Sequence, residues 1–174
     1  MTIQINYKNN SSKKTITNQV LFVDEKFNLN PLKKYISNFE FSYINDLLNV
    51  SDLKKNLLFF EINSKKTIFL ISIKKDLKIL DIESLGAQFH SYIDYDKKID
   101  YFVNSDSINS KIENFVGHFL HGLKLKSYEF NIYKSKKSKR LISINVIGTK
   151  NRISAHHQLR FKALEEGTFF ARDL

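Results

Sequence analysis

Apolar and polar positions alternate most clearly at the start of the chain, where residues 2–7 read TIQINY, and this period of two predicts a strand. A short apolar run, VLFV at residues 20–23, predicts a second strand beyond the polar turn region from Asn9 to Lys14. Asn30-Pro31 then reads as a helix start, because Asn can cap and Pro at the first helical position loses no needed donor. Leu32, Tyr35, Ile36 and Phe39 fall on one face of that helix, and a second short helix carrying Ile44, Leu47 and Leu48 is expected after Ser42.

NLLFFEIN and KTIFLISI, on either side of Ser64-Lys65, predict an antiparallel hairpin whose strands are apolar enough to lie in a sheet interior. Ile82, Leu85, Phe89 and Ile93 return to helical spacing, and residues 98–103 (KIDYFV) look like the next strand. From Ser110 to Lys126 the stripe Ile112, Phe115, Val116, Phe119, Leu120 and Leu123 predicts another helix. Residues 141–147 (LISINVI) form a β-branched strand, and Ile153 to Leu174 a final long helix. Strands that alternate with helices specify an α/β domain, and the hairpin makes its sheet mixed. No Pro/Gly-rich linker and no repeat divides it.

Composition narrows the class. A chain of 174 residues with 42% hydrophobic content suits one domain that buries roughly 70% of its unfolded surface. Cys is absent, which excludes disulfides and thiolate metal sites and fits a reducing compartment. The N-terminus MTIQINYKNN lacks a basic-then-apolar signal region, and runs such as Leu57 to Phe60 are far below the ~20 residues that span a bilayer. A soluble cytoplasmic protein without membrane partners is the expectation.

The formal net charge is +10, and it is uneven: residues 133–174 hold ten Lys and Arg against three acids, whereas residues 1–132 hold eighteen against fifteen. In FNIYKSKKSKRL, residues 130–141, five cations crowd the seven positions from Lys134 to Arg140. Such a basic end is the footprint of a phosphate-binding surface and makes Lys134, Lys136, Lys137, Lys139 and Arg140 candidate DNA or anion contacts. Against this, 24 of the 28 cations are Lys, which lacks the planar fork that makes Arg the better phosphate reader. A solvated loop explains the run more simply.

Other sources of chemistry are thin. His118 and His121 stand at i, i+3 on the polar side of the Ser110 to Lys126 helix, and His156 and His157 are adjacent, so both pairs read as surface histidines without a third metal ligand. Asp94, Asp96 and Asp100 resemble a loose calcium run that lacks the Gly and distal Glu of a calcium loop. GxGxxG, GxxxxGK[ST], GxSxG and HExxH are all missing, and five glycines leave little from which to build a phosphate cradle.

The last third carries a resemblance. Gly122, Tyr128, Phe130, Tyr133, Lys134 and Lys136 in GHFLHGLKLKSYEFNIYKSKK look like the G-x5-Y-x-F-x2-YK-x-K stretch near the end of the N-terminal domain of leucyl (cytosol) aminopeptidases of the M17 family. EEGTFFARDL, residues 165–174, resembles that family's E-G-x3-ARDL helix, which leads from the N-terminal into the catalytic domain. The resemblance covers essentially the whole chain, more tightly after residue 117. It implies a macro-domain-like fold, a mixed β-sheet flanked by helices on both faces, with residues 1–150 as the N-terminal domain and 151–174 as the linker helix.

The family's VNEP and NTDAEGRL segments, its catalytic residues and the ligands of its two divalent metals, zinc or manganese, would follow Leu174. The resemblance therefore implies a parent that removes N-terminal residues from peptides with two metals activating a water, and a 174-residue segment that is inactive by itself. No catalytic or metal residue carries over to any position here. The implied partners are the parent's own catalytic domain, its neighbours in a hexamer, and peptide substrates. Some bacterial members of the family bind DNA, which keeps a DNA-binding module through the basic 133–162 region as one alternative. A stand-alone macro-like ligand-binding domain is another, although the glycine-rich loops through which macro domains bind ADP-ribose are not evident.

Overall fold

The computed structural model describes residues 2–7, 16–95, 97–128 and 140–174. Among them six strands form one sheet: β1 (Thr2–Tyr7), β2 (Asn18–Asp24), β3 (Leu57–Asn63), β4 (Lys66–Ile73), β5 (Asp100–Asn104) and β6 (Leu141–Ile147). Four α-helices accompany them: α1 (Asn38–Leu48), α2 (Ile79–Tyr95), α3 (Phe115–Lys126) and α4 (Ala155–Asp173). The strand order is β1-β6-β5-β2-β4-β3, and every neighbouring pair is parallel except β3 with β4.

Alternation along the central strands sorts the side chains into two cores. Val20 and Phe22 of β2 and Phe69 and Ile71 of β4 join Ile82, Phe89, Phe119 and Leu123 under α2 and α3. Leu21 and Val23, with Ile68 and Leu70, face the opposite way and meet Leu32, Ile36, Ile44 and Leu48. The continuous apolar runs of β2 and β4 are thus those of strands covered on both faces. Helices flank both faces of this mixed sheet, but among the described residues the second face is covered apolarly only over β2, β4 and β3. Over β1 and β6 it carries a polar ladder, in which Asn6 Nδ2 donates to Ser143 Oγ and to Asn145 Oδ1, each at 3.4 Å.

Several elements differ from the sequence pattern. Asn30-Pro31 opens only a 3-10 turn, Asn30–Leu32, and not a helix that reaches Phe39. The helix begins instead at Asn38, where Ser37 and Glu40 form a capping box: Glu40 N donates to Ser37 Oγ at 3.2 Å, and Ser37 N to Glu40 Oε2 at 2.9 Å. Phe39 consequently leaves the core and is 69% exposed. The expected second helix after Ser42 is the remainder of this same α1.

Likewise α3 starts at Phe115, because Asn114 adopts a left-handed conformation (φ 54°) that no helix running from Ser110 can pass through. The hairpin forms as the pattern predicts, with β4 interior, but β3 lies at the edge of the sheet.

α2 and α3 pack closely through two glycines. A Cβ at Gly86 would lie 1.9 Å from the Phe119 carbonyl oxygen, and one at Gly122 would lie 1.9 Å from the Glu83 carbonyl oxygen. The two helix backbones therefore touch, and only glycine fits at either crossing.

Candidate functional site

Helix α4 lies outside α3 and is weakly embedded. Its N-terminus is set by Ser154, whose Oγ accepts from His157 N at 3.3 Å. Glu165 is its one buried residue among those described. His121 Nδ1 of α3 sits 3.3 Å from Glu165 Oε1. Lys124, whose Nζ donates to Ile3 O at 2.6 Å, lies within the field of the same carboxylate. Burial pulls the Lys124 ammonium below its ordinary value, and Glu165 opposes that pull. Burial and then the Glu165 charge push the Tyr7 hydroxyl up to about 12.

Around this carboxylate the ring of Phe161 meets the rings of His118 and His121, with centroids 5.1 and 5.5 Å away. His118 Nδ1 stands 3.5 Å from Glu83 Oε1 of α2, close enough for an ion pair when the ring is protonated but without a hydrogen bond. Surface positions predicted for His118 and His121 are therefore corrected. Each points into a seam between helices because Gly117 and Gly122, beside them on α3, let neighbours approach. His156 and His157, by contrast, stay at the exposed start of α4.

At its far end α4 is held by Tyr128, which hydrogen-bonds Asp173 and stacks on Phe169 at 5.2 Å. Arg172 Nη1 donates to Leu125 O at 3.2 Å. The other side of α4 is uncovered: Leu159 is 68% exposed, Phe170 68% and Leu174 93%. A spacing of eleven residues puts Leu159 and Phe170 on one helical stripe, opposite Phe161 and Glu165, and Leu174 follows at the C-cap.

Ligands of open α/β sheets sit outside the carboxyl ends of the strands. Here a cleft of about 600 Å³ opens beyond β2 and β4, lined by Asp24, Asn28, Lys74, Lys75, Ser107 and Lys111 among others. Beside it the loop after β6 turns at Gly148 (φ 122°), where a Cβ would press on Ser105 Oγ at 2.4 Å. Thr149 N and Lys150 N both donate to Asp106 Oδ1, at 2.7 and 2.5 Å. The pair of amides that such a loop could offer to an anion is thus taken by a carboxylate of the chain itself.

Of the candidate anion contacts, Lys134, Lys136, Lys137 and Lys139 lie outside the described residues, as do Phe130 and Tyr133 of the family-like pattern. Arg140 is described, and its guanidinium is engaged: Nη1 donates to Asp94 O at 2.9 Å, and Nη2 to Ile93 O and Lys98 O, both at 3.0 Å. It closes the last turn of α2 onto the start of β6, as a cation at a helix C-terminus does. Nothing in the sequence marked this, since the carbonyls it meets lie over forty residues away. Asp96 also lies outside the described residues, and Asp94 and Asp100 are exposed. No group of three His, Cys, Asp or Glu side chains converges among the described residues, so they offer no ligand set for zinc or manganese. Nor is any helix among them long and apolar enough to cross a membrane.

No family model matches this sequence, and no curated protein matches it. Solved structures do match its fold. A tomato leucine aminopeptidase variant superposes with a TM-score of 0.63 at 15% identity, over 94% of this chain and 35% of that one. The cytosol aminopeptidase of Coxiella burnetii gives 0.56 at 15% identity, over 97% of this chain and 32% of that one. The macrodomain of Thermus aquaticus DarG gives 0.55 at 8% identity, over 84% of this chain and 99% of that one. The chain thus spans about a third of the length of the aminopeptidases it matches, and its fold is that of this third and of a macrodomain.

Proposed function

We propose that this chain is the non-catalytic N-terminal domain of a leucyl aminopeptidase, with residues 1–150 as a macro-like body and residues 151–174 as the helix that leads to a catalytic domain. On this reading it serves assembly of the parent and shapes access to its active site. The parent hydrolyses N-terminal residues from peptides in the cytoplasm, with two divalent metals held by its catalytic domain and its subunits arranged as a hexamer.

The observation that carries this reading is the α4 stripe. Leu159, Phe170 and Leu174 present apolar surface at the end of the chain that follows the macro-like body, where a succeeding domain would cover it. The likeness to leucine aminopeptidases over 94% of this chain and 35% of theirs supports the same occupant. What remains for the described residues is then to dock α4 on α3, through Glu165, Phe161 and Tyr128.

The 174-residue chain is expected to give no hydrolysis of leucine p-nitroanilide, with or without manganese or zinc, while the protein read from the same frame through VNEP and onward turns over that substrate when metal is supplied. Metal-dependent turnover by the 174-residue chain, or a frame that ends at Leu174, would overturn the proposal.

A further inference from the structure

Strand β3 is where pattern and position disagree most. LLFF at residues 57–60 has the composition of an interior strand, yet among the described residues β3 has a neighbour on one side only. Edge strands in natural proteins are blunted by lysine, proline, bulges or a covering element, because their outer row of backbone groups is a template for another strand. Residues 57–60 carry neither charge nor proline, and the pairing becomes irregular only after Glu61.

The register shows which backbone groups face outward. Ser72 N donates to Asn56 O at 2.8 Å, so these opposed residues form a hydrogen-bonded pair. Such pairs alternate along an antiparallel ladder. Leu58 and Phe60 therefore turn their N–H and C=O groups toward Leu70 and Ile68, and Leu57, Phe59 and Glu61 turn theirs away from the sheet. The Tyr43 hydroxyl, which donates to Glu61 O at 3.4 Å from outside, agrees with that orientation.

Aromatic surface flanks this row on both faces. On the α2 side Phe59 packs edge-on against Tyr92, with centroids 5.4 Å apart, and with the almost fully exposed Tyr95 they frame a groove of about 670 Å³. On the α1 side the exposed Phe39 and Tyr43 stack in parallel, 6.2 Å apart. A strand added beside β3 would send alternate side chains to the two faces, and each set would meet one of these patches. The exposed cations Lys54 and Lys55 precede β3, Lys65 follows it, and Lys97 lines the groove, with Glu61 as the one acid on the strand.

We propose that the β3 edge is a strand-addition site for an extended segment of a partner protein that is apolar in its centre and acidic at its ends. The outward N–H and C=O groups call for an extended backbone, the aromatics on both faces for apolar side chains at alternate positions, and the flanking lysines for acidic ends. The same charges argue against a second copy of this chain, which would bring another net +10 alongside.

The test uses the 174-residue chain and a synthetic peptide with a core of valine, threonine and phenylalanine between paired glutamates. Binding is expected to slow hydrogen exchange at the Leu57 and Phe59 amides. Replacing the glutamates with lysine should weaken it at least tenfold. N-methylation of every second peptide amide on the side that faces β3 should abolish binding, and methylation of the alternate set should not. Phe59→Pro removes an outward donor without touching a bond to β4 and is expected to lose the peptide. If that variant fails to fold, the two methylated peptides still decide. Absence of binding, equal binding of both methylated peptides, or sedimentation of the chain as a dimer paired through β3 would overturn the proposal.

Discussion

Helix α3 has two seams, and they are built on opposite principles. Toward α2 the contact is backbone against backbone at Gly86 and Gly122, continued by buried Phe89, Phe119 and Leu123. Toward α4 it is side chain against side chain, a Phe161 ring over Gly117 and a Glu165 carboxylate beside His121, with one flank of α4 open to solvent. The first seam has no alternative geometry, because no side chain can be added there. The second is held by groups that can swing, bond to water or titrate. Stability therefore resides in the α2–α3 side, and α4 is docked rather than embedded.

The largest expected break in this comparison is Gly122→Ala. Within a helix the change to Ala by itself favours stability by about 1 kcal/mol. At this crossing the new methyl meets the Glu83 carbonyl, which belongs to backbone and cannot step aside, so a net loss of about 3 kcal/mol or more is expected in urea denaturation. Next comes Glu165→Ala, which leaves His121 without its carboxylate partner, removes the opposing charge from Lys124, and should cost about 2 kcal/mol. Hydrogen exchange should show that loss concentrated in α4, with α2 amides unchanged.

How much of this was legible in advance depends on range. β1, β2, β4, β6 and α2 follow from period and apolar runs, because burial on one or both faces dictates which residues recur. The start of α1 was equally local, in the spacing of Ser37 and Glu40, but the Asn30-Pro31 pair gave a stronger start signal for a turn that stops after Leu32. The edge position of β3 was not legible, since interior and edge strands of a hairpin share the same apolar composition until the sheet order is known. Nor was the placement of His118 and His121 in a helix seam. Their side of α3 reads as polar, and only the folding back of α4 places Phe161 and Glu165 over it. Arg140 is similar, a cation in a basic run whose carbonyl partners are brought to it by the sheet.

A smaller effect separates the seams by pH. The folded Lys124 gives up its proton below the ordinary value near 10.4, so between its depressed pKa and that value the unfolded chain binds more protons, and stability rises with pH. Glu165 holds the proton on. Glu165→Gln is therefore expected to lower the pKa further and to shift the onset of that rise to lower pH, a small effect because solvent screens a partly exposed ammonium. Denaturation midpoints between pH 8 and pH 10 check this, and Gly86→Ala, in the other seam, should keep the wild-type profile although its overall stability falls.

The smallest effect sharpens the comparison most, because it repeats the first substitution on the other side of the same helix. In Gly117→Ala the new methyl would lie 2.3 Å from Phe161 Cε2, as severe an overlap on paper as many core clashes. The obstacle here is the far end of a half-buried ring on a helix with one open flank, so the ring can rotate or α4 can shift outward. The gain in helix propensity, about 1 kcal/mol, then offsets most of the strain, and global stability should change by less than about 1 kcal/mol. Exchange at α4 amides should nevertheless quicken while α2 and α3 amides keep their protection. A global loss as large as that of Gly122→Ala would mean that α4 is fixed as rigidly as α2, and the contrast between a built seam and a docked one would not stand.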